Sequence, residues 1–508
     1  MTAGGTVGAV MVCGTSSDAG KSHVASGICR LLARRGVRVA PFKGQNMSLN
    51  SAVTAGGHEI GRAQEAQARA ARVEPEVAMN PVLLKPTGER TSQVVVMGRP
   101  WRTLDAATFH AAKAELAPVV LGALEELRRR FDVVVCEGAG SPAEINLLDD
   151  DLVNLGLAAQ AGIPALIVGD IERGGVFAHL YGTVALLPDA LRDRVRGFVV
   201  NKFRGDPELL GDATKVLEAR CGVPTLGVVP YLPGVGLDAE DSLSLPSPSA
   251  AWGATGAGGA TLDVAVVRFP RISNFTDLDA LALEPALSVR FVDSPGALGE
   301  PDVVVLPGTR STVADLDWAE EQGIVAAIER RRADPSRRPV VLGICGGYQM
   351  LGSVIEDPGG VESAVPVRRG LGWLGVTTRF EEEKRTRRRR GLERRSGLEV
   401  EGYEIHHGRP VVAASAEPWF SLEAGEPEGC LDRAGGLYGT RLHGVLESDP
   451  LRDRFLGEVA RARGKRWVSS GVSFAAAREG QIDRLADACE AALDVPRLLE
   501  IIEIGRHR

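Results

Sequence analysis

The stretch that most constrains the fold is an apolar run followed by a loop of small residues and an amphipathic segment. Residues 7–13 have the composition of a buried strand, residues 14–22 read Gly-Thr-Ser-Ser-Asp-Ala-Gly-Lys-Ser, and residues 23–35 have helical spacing. This order of strand, loop and helix is the context that a phosphate-binding loop requires. Backbone N–H groups would surround phosphates, Lys21 would reach the terminal ones, and the Ser22 hydroxyl would bind Mg²⁺. We therefore predict an α/β domain that binds a nucleotide.

Further apolar runs extend this domain, and each ends in a polar residue. Runs of strand length stop immediately before Lys43, Glu137 and Asn201, and helical patterns separate them. Such alternation predicts a doubly wound, mostly parallel sheet, in which the carboxyl ends of the strands share one ligand-binding edge. Glu137 at this edge is a candidate Mg²⁺ ligand, or the partner of a Mg²⁺-bound water, although it could instead cap the following turn.

The second half contains a thiol on a sharp turn between a predicted strand and a helix. Residues 340–344 form an apolar run, and Cys345 follows it before two glycines and a helix-compatible segment. Such a turn exposes the sulfur at the helix N-terminus, which favours a thiolate and an oxyanion. A buried structural cysteine is the alternative, but glycines on both sides favour a nucleophile. A thiol nucleophile needs a base, and His443 stands at the tip of another predicted strand.

Composition limits the partners that this chain can have. The net charge of −7 argues against a nucleic-acid-binding or anionic-membrane-binding protein, and no apolar run reaches membrane-spanning length. The seven cysteines are scattered without a C-x-x-C pair, which is typical of a reducing, cytoplasmic compartment. One basic stretch, residues 381–397, is expected to be a solvated loop and not a polyanion-binding patch.

Two motifs of the second half resemble the glutaminase domain of class I glutamine amidotransferases. They are Gly-Ile-Cys-Gly-Gly-Tyr-Gln at 343–349 and the residues around His443. Those enzymes release ammonia from glutamine through a cysteinyl thioester. Their common form has a glutamate two residues after the histidine, whereas this chain has Val445, and the nearest carboxylate is Glu447. The Cys–His pair without that glutamate is similar to the branch of cobyric acid and cobyrinic acid a,c-diamide synthases, and the residue that orients His443 stays open.

The first half resembles the same branch. Thr15 stands where the usual loop has its first glycine, a variant similar to dethiobiotin synthetase, which activates a carboxylate as an acyl phosphate. Without the resemblance, residues 43–51 would be a polar surface loop and Asn201 a turn residue. With it, the expected ATP and phosphate contacts are Thr15, Gly20, Lys21, Ser22, Lys43 and Asn201, and the metal ligands are Ser22 and Glu137. The implied corrinoid contacts are Asn46, Ser48, Asn50, Ser141, Glu144 and Asn146, the catalytic pair is Cys345 and His443, and the oxyanion donors are Gly308 and Gly346.

The resemblance covers nearly the whole chain and implies two domains. Residues 1–241 would form the P-loop amidoligase domain, residues 242–261 an exposed linker, and residues 262–508 an α/β glutamine amidotransferase domain. The implied activity is the ATP- and Mg²⁺-dependent amidation of the b, d, e and g carboxylates of adenosylcobyrinic acid a,c-diamide in cobalamin biosynthesis, with glutamine as the ammonia source.

Two other functions are compatible with parts of this pattern. The a,c-diamide synthases share both domain types, although residues 43–51 and 64–67 favour a resemblance to the cobyric acid synthases. A nucleotide switch of the ParA type, with the second domain as a ligand sensor, would account for the first half alone. Cys345 together with His443 speaks against such a switch, because a sensor needs no nucleophile.

Overall fold

The computed structural model describes residues 6–88, 90–148, 150–236 and 262–506, so the expected linker at 242–261 lies outside the described residues. The chain divides into two compact units. The first contains Met1–Ser48, Ile60–Asp238 and Arg478–Arg508, and the second contains Leu49–Glu59 and Ala239–Ala477. Within the described ranges, every helix is too short or too polar to cross a membrane.

The first unit is built on a parallel sheet. Its described strands, in spatial order, are Thr225–Pro230, Val195–Phe203, Ala165–Asp170, Gly8–Gly14, Val133–Glu137 and Val39–Phe42. All neighbours in this order run parallel. The three strands Ala165–Asp170, Gly8–Gly14 and Val133–Glu137 are buried at every position, as expected where both faces of a parallel sheet are covered. The prediction of a doubly wound parallel sheet is confirmed.

A smaller sheet and the helices complete the first unit. The smaller sheet contains Gln45–Met47, Val82–Pro86, Thr91–Val96 and Arg99–Asp105, of which the first two are parallel and the others antiparallel. The α-helices are Lys21–Arg34, Arg62–Ala70, Ala106–Arg130, Leu155–Ala161, Val176–Ala185, Asp189–Arg192, Ala213–Cys221 and Val495–Ile504, and the 3₁₀ turns are Val77–Met79, Ile145–Leu147 and Pro207–Leu210.

The C-terminal residues from Arg478 onwards belong to the first unit, which differs from the predicted domain bounds. The buried guanidinium of Arg30 pairs with Glu479 of helix Phe474–Ala492 at 2.7 Å. Backbone also meets backbone here, since a Cβ added to Gly8 would lie 1.9 Å from the Ile502 carbonyl oxygen. Helical spacing in the sequence predicts a helix in this part of the chain. It does not predict which of the two hydrophobic cores the apolar face of that helix packs against.

The second unit is built on another largely parallel sheet. Its described strands, in spatial order, are Leu287–Val292, Leu262–Val267, Val303–Leu306, Val340–Ile344, Leu437–Thr440 and Cys430–Asp432, and only the last pair among these is antiparallel. Strands Val340–Ile344 and Leu437–Thr440 are neighbours, with Ile344 opposite Thr440. Because parallel strands end at the same edge, Cys345 and the loop that carries His443 emerge side by side. The predicted second α/β domain is confirmed.

The remaining elements of the second unit are short, apart from one long hairpin. The additional sheet contains Val367–Arg369, Val354–Glu356, Val376–Glu393, Glu399–Val412, Phe420–Leu422 and Pro427–Glu428. The helices are Asp279–Ala282, Thr312–Glu321, Ile324–Ala333, Gly346–Leu351 and Asp449–Ala462, with 3₁₀ turns at Phe275–Leu278, Glu423–Gly425 and Val445–Glu447. A further short strand of this unit is Ser51–Val53, whereas strand Glu59–Gly61 begins at the last residue of Leu49–Glu59 and continues in residues of the first unit.

The basic stretch at 381–397 is not a solvated loop, and that prediction is wrong. Most of it lies in strand Val376–Glu393, which pairs antiparallel with Glu399–Val412. Within this strand, Arg389 pairs with Glu423 at 3.0 Å and with Glu426 at 2.7 Å. The positive charge of Arg389 is therefore offset by carboxylates 34 and 37 residues further along the chain, which a local charge pattern does not show.

Candidate active sites

The loop before helix Lys21–Arg34 has the geometry of a phosphate-binding loop. Gly20, with φ of 93°, caps the helix. The Lys21 ammonium is buried and donates to the carbonyl oxygens of Ser16 at 2.9 Å and Gly140 at 3.1 Å. The Thr15 hydroxyl oxygen is buried without a hydrogen-bond partner among the described residues. A buried donor of this kind is expected where a phosphate oxygen binds.

Asn201 lies against the same loop. Its side-chain Nδ2 donates to the Ala19 carbonyl oxygen at 3.0 Å, and the residue is buried at the end of strand Val195–Phe203. The structure thus brings Asn201 to the phosphate-binding loop, as the resemblance leads one to expect. A contact between Asn201 and ATP remains a prediction.

Glu137 is the centre of a buried polar cluster at the end of strand Val133–Glu137. Its Oε1 accepts from the Ser22 hydroxyl at 2.9 Å and from the Lys43 ammonium at 3.1 Å, and its Oε2 accepts from Gln67. The residue is 1% exposed. Burial opposes the charged carboxylate, but the positive charges of Lys43 and Lys21 outweigh it and lower the pKa of Glu137. A hydroxyl and an ionised carboxylate side by side are the oxygen ligands that Mg²⁺ prefers, so this cluster fits the predicted metal site.

The predicted corrinoid contacts do not share one environment. Asn46 is buried and donates to Gln64 at 2.8 Å, and Ser48 is buried near it in sequence. Glu144 and Asn146 are exposed; Glu144 precedes the 3₁₀ turn Ile145–Leu147, and Asn146 lies within it. Ser141 is partly buried. Asn50 belongs to the second unit, where its Oδ1 accepts from the Phe275 N–H.

Cys345 occupies a strained turn between strand Val340–Ile344 and helix Gly346–Leu351. Its φ of 51° and ψ of −106° are unusual for a residue with a side chain, and its N–H donates to the Thr440 carbonyl oxygen at 2.8 Å. Gly347, two residues further along, has no room for a side chain, because an added Cβ would lie 1.9 Å from the Leu306 carbonyl oxygen. This is the strand-to-helix turn predicted from the sequence.

His443 stands between Cys345 and a carboxylate that the sequence analysis did not assign. Its Nδ1 lies 2.7 Å from Asp277 Oδ2, and the other Asp277 oxygen accepts from the Gly444 N–H at 2.8 Å. The Cys345 side chain also interacts electrostatically with His443 and contributes to the raised pKa of the ring. Asp277, and not Glu447, is thus the residue that orients the ring. The sequence does not indicate this pairing, because Asp277 lies 166 residues before His443 and no local pattern links the two.

The charge state of His443 follows from these two neighbours. The ring is 1% exposed. Burial disfavours the charged form, but the Asp277 carboxylate and the Cys345 side chain outweigh it and raise the pKa of His443 to about 10. A ring that keeps its proton at neutral pH places a positive charge beside the Cys345 sulfur, an arrangement that activates cysteine nucleophiles.

We expect kcat/KM for glutamine hydrolysis to stay level between about pH 7 and pH 9 and to fall as the pH passes about 10. The reason is that the imidazolium, which protonates the leaving ammonia, is lost only above the raised pKa. Initial rates of glutamate release across this range measure the effect. A fall that begins near neutral pH would contradict it. The same shift stabilises the folded state fully below about pH 6.5, and this stabilisation is lost as the pH rises through about 10.

Tyr403 supports the other side of the His443 ring. The two residues form an antiparallel bridge, in which Tyr403 N–H donates to the His443 carbonyl oxygen at 3.1 Å and His443 N–H donates to that of Tyr403 at 2.9 Å. Their rings are stacked with centroids 5.3 Å apart. His406, on the same strand as Tyr403, directs its Nδ1 to the Gly408 carbonyl oxygen at 2.7 Å. Burial and the charges of Arg441 and Arg409 lower the pKa of His406, so it remains neutral.

The two predicted oxyanion donors belong to strand ends that converge on this site. A Cβ added to Gly308 would lie 3.0 Å from His443 Cε1. One added to Gly346 would lie 2.7 Å from a methyl group of Thr309, the residue after Gly308. The structure therefore brings both glycines to the Cys345–His443 site, and their N–H groups remain predicted donors.

The phosphate-binding loop and the Cys345–His443 site together define the class of this protein. It is an α/β P-loop domain joined in one chain to a class I glutamine amidotransferase domain. Two family models match accordingly. A "CobQ/CobB/MinD/ParA nucleotide binding domain" matches residues 10–245, and a "CobB/CobQ-like glutamine amidotransferase domain" matches residues 263–451. Since the first model also includes ParA proteins, the second model and the Cys345 site decide against the switch alternative.

Curated relatives narrow the class to one family. The chain is 52% identical over 503 residues to a cobyric acid synthase of Streptomyces coelicolor. The aligned region covers 98% of this chain and 97% of that protein. It is 50% identical to that of Mycolicibacterium gilvum and 49% identical to that of Rhodococcus jostii, again over 98% of this chain and 97% and 96% of those proteins. The chain belongs to the cobyric acid synthase family.

Proposed function

We propose that this chain is a glutamine-hydrolysing carbon–nitrogen ligase that amidates the b, d, e and g carboxylates of adenosylcobyrinic acid a,c-diamide to give adenosylcobyric acid. The observation that carries the proposal is the combination, in one chain, of the Glu137 cluster beside a phosphate-binding loop with the Cys345, His443 and Asp277 constellation. Identity of about half over nearly the whole length of cobyric acid synthases supports the choice of substrate.

Glutamine hydrolysis begins with attack of the Cys345 thiolate on the carboxamide carbon. Backbone N–H groups of Gly308 and Gly346 stabilise the oxyanion of the tetrahedral intermediate. His443 gives its proton to the leaving nitrogen, so that ammonia departs and a thioester forms. Water then attacks the thioester while His443 accepts a proton from it, and the Cys345 sulfur leaves as the thiolate. This step releases glutamate and restores the starting state of both residues. Asp277 holds the ring in the required orientation through Nδ1.

Amidation needs a second activation, because a carboxylate is a poor electrophile. An oxygen of the corrinoid carboxylate attacks the γ-phosphorus of ATP, and ADP leaves. Ammonia then attacks the carbonyl carbon of the resulting acyl phosphate and displaces phosphate, which gives the amide. Thr15, Gly20, Lys21 and Lys43 are the proposed phosphate contacts, and Asn201 the adenine contact. Ser22 and Glu137 would hold Mg²⁺, whose charge offsets that of the phosphate oxygens.

The corrinoid contacts in the first unit are proposed from the sequence resemblance and from position. Asn46 and Ser48 follow Lys43 in the chain, and Ser141, Glu144 and Asn146 follow Glu137. Both stretches therefore leave the carboxyl ends of neighbouring sheet strands, where α/β sheets bind ligands. The exposed Glu144 and Asn146 side chains offer a donor and acceptors to the amide and carboxylate groups at the corrin periphery.

The function is tested by incubating the protein with cobyrinic acid a,c-diamide in its adenosylated form, ATP, Mg²⁺ and glutamine, and by following the corrinoid by mass spectrometry. We expect stepwise conversion of carboxylates to amides. Conversion of unamidated cobyrinic acid alone would move the assignment to the a,c-diamide synthases. ATP turnover without conversion of either corrinoid would overturn the amidoligase assignment.

Glu137→Gln separates the two half-reactions. We expect it to lower ATP-dependent amidation by about 10²-fold or more, because it removes the charge that pairs with Lys43 and contacts Ser22. Glutamate release in the second unit should continue at the wild-type rate. Glu125→Gln, at an exposed position of helix Ala106–Arg130 in the same unit, is the matched charge-removing comparison and should leave ATP turnover intact. Equal activity of Glu137→Gln and wild type in amidation would contradict the metal-site proposal.

A further inference from the structure

A short segment of the N-terminal half of the sequence, Leu49–Glu59, belongs to the second unit. Asn50 is fully buried at 0% exposure, and its Oδ1 accepts from the Phe275 N–H at 3.1 Å. The next residue, Ser51, donates its N–H to Asn274 Oδ1, also at 3.1 Å. Two neighbouring residues of this segment are thus hydrogen-bonded to two neighbouring residues of another turn.

That turn carries the carboxylate that orients His443. Asn274 has a positive φ of 50° and caps the 3₁₀ turn Phe275–Leu278, whose third residue is Asp277. Both Asp277 oxygens are used, one by His443 Nδ1 and the other by the Gly444 N–H. A shift of the turn would therefore move the Asp277 carboxylate relative to the ring. Hydrogen bonds from Asn50 and Ser51 fix the two residues from which the turn begins.

The same segment also reaches the aromatic support of His443. Asn274, which accepts from the Ser51 N–H, donates its Nδ2 to the Tyr403 hydroxyl at 3.3 Å. The Tyr403 ring in turn stacks on that of His443. Val53 packs in an apolar cluster with Tyr403 and Ile405. The strand that carries Tyr403 pairs in turn with the neighbouring strand Val376–Glu393, where Arg388 Nε donates to the Val53 carbonyl oxygen at 2.7 Å. The segment consequently contacts both neighbours that hold the ring in place.

We propose that Asn50 is a positioning residue for glutamine hydrolysis, which acts through the turn at 274–278 on the His443–Asp277 pair. Its carboxamide oxygen fixes the Phe275 N–H, and the turn then presents Asp277 to His443 Nδ1. The proposal gives a residue of the N-terminal half a part in the chemistry of the second unit, in place of the corrinoid contact expected from the sequence. It rests on the proposed glutaminase function of Cys345 and His443.

The test compares Asn50→Ala, Asn274→Ala and the double variant in assays of glutamate release. We expect each single variant to lower kcat about 10-fold to 10²-fold, with KM for glutamine changed less than about 3-fold, because the turn does not bind the substrate itself. The high-pH limb of the rate profile should move to lower pH, since a displaced Asp277 raises the pKa of His443 less. The double variant should be no slower than the slower single one, because both act on one turn.

Controls decide between this role and the alternatives. Ala55→Ser changes an exposed residue of the same segment and should match wild type. Amidation with ammonium salt in place of glutamine should be unaffected in all variants. Wild-type kcat and pH profile in Asn50→Ala would overturn the proposal. So would a raised KM for the corrinoid in ammonia-dependent amidation with unchanged glutamate release, which would identify Asn50 as a corrinoid contact. If wild type releases glutamate but fails to amidate the corrinoid, the assigned substrate is wrong while this test still stands.

Discussion

Cys345→Ala is expected to abolish glutamine-dependent amidation, by about 10⁴-fold or more, and to leave ammonia-dependent amidation at the wild-type rate. Without the sulfur no thioester forms, and the remaining oxyanion donors cannot replace the nucleophile. The two activities are read separately, by glutamate release and by mass spectrometry of the corrinoid with ammonium salt in place of glutamine.

Cys430→Ala is the matched control for this variant. Cys430 is also buried in the second unit, on the antiparallel strand Cys430–Asp432. Among the described residues, Cys430 is not one of the contacts of His443. Its replacement should therefore retain glutamine-dependent activity. Persistence of that activity in Cys345→Ala, or loss of ammonia-dependent amidation together with it, would refute the division of labour between the two units.

Asp277→Asn is expected to lower kcat for glutamine hydrolysis by about 10²-fold to 10⁴-fold. The amide keeps the shape of the side chain, but it removes the charge that raises the pKa of His443 and can present an N–H to Nδ1. The high-pH limb of kcat/KM should therefore move to lower pH. Stopped assays of glutamate release across the pH range measure both effects.

Glu447→Gln distinguishes Asp277 from the carboxylate nearest to His443 in sequence. Glu447 is half-buried and closes the 3₁₀ turn Val445–Glu447, while His443 Nδ1 is directed to Asp277. We expect glutaminase activity within about 2-fold of wild type in this variant. A larger loss in Glu447→Gln than in Asp277→Asn would show that the ring is oriented differently during catalysis.

Local sequence patterns were enough to determine several features of this protein. The apolar run and small-residue loop before Lys21 specify the strand, phosphate-binding loop and helix, because these three elements follow one another directly in the sequence. The turn at Cys345 is specified in the same way by flanking glycines, one of which has no room for a Cβ. Alternating strand and helix patterns then predict both parallel sheets.

Tertiary structure alone decided the features that join distant parts of the chain. His443 and Asp277 are 166 residues apart, and Phe275 and Asn50 are 225 apart, so no local periodicity records either contact. For the same reason, the sequence does not show that the residues from Arg478 onwards belong to the first unit, or that Arg387 pairs with Glu404 and Arg389 with Glu426. A short motif specifies its own backbone conformation, whereas the partner of a buried charge or an apolar face is settled only when the whole chain packs.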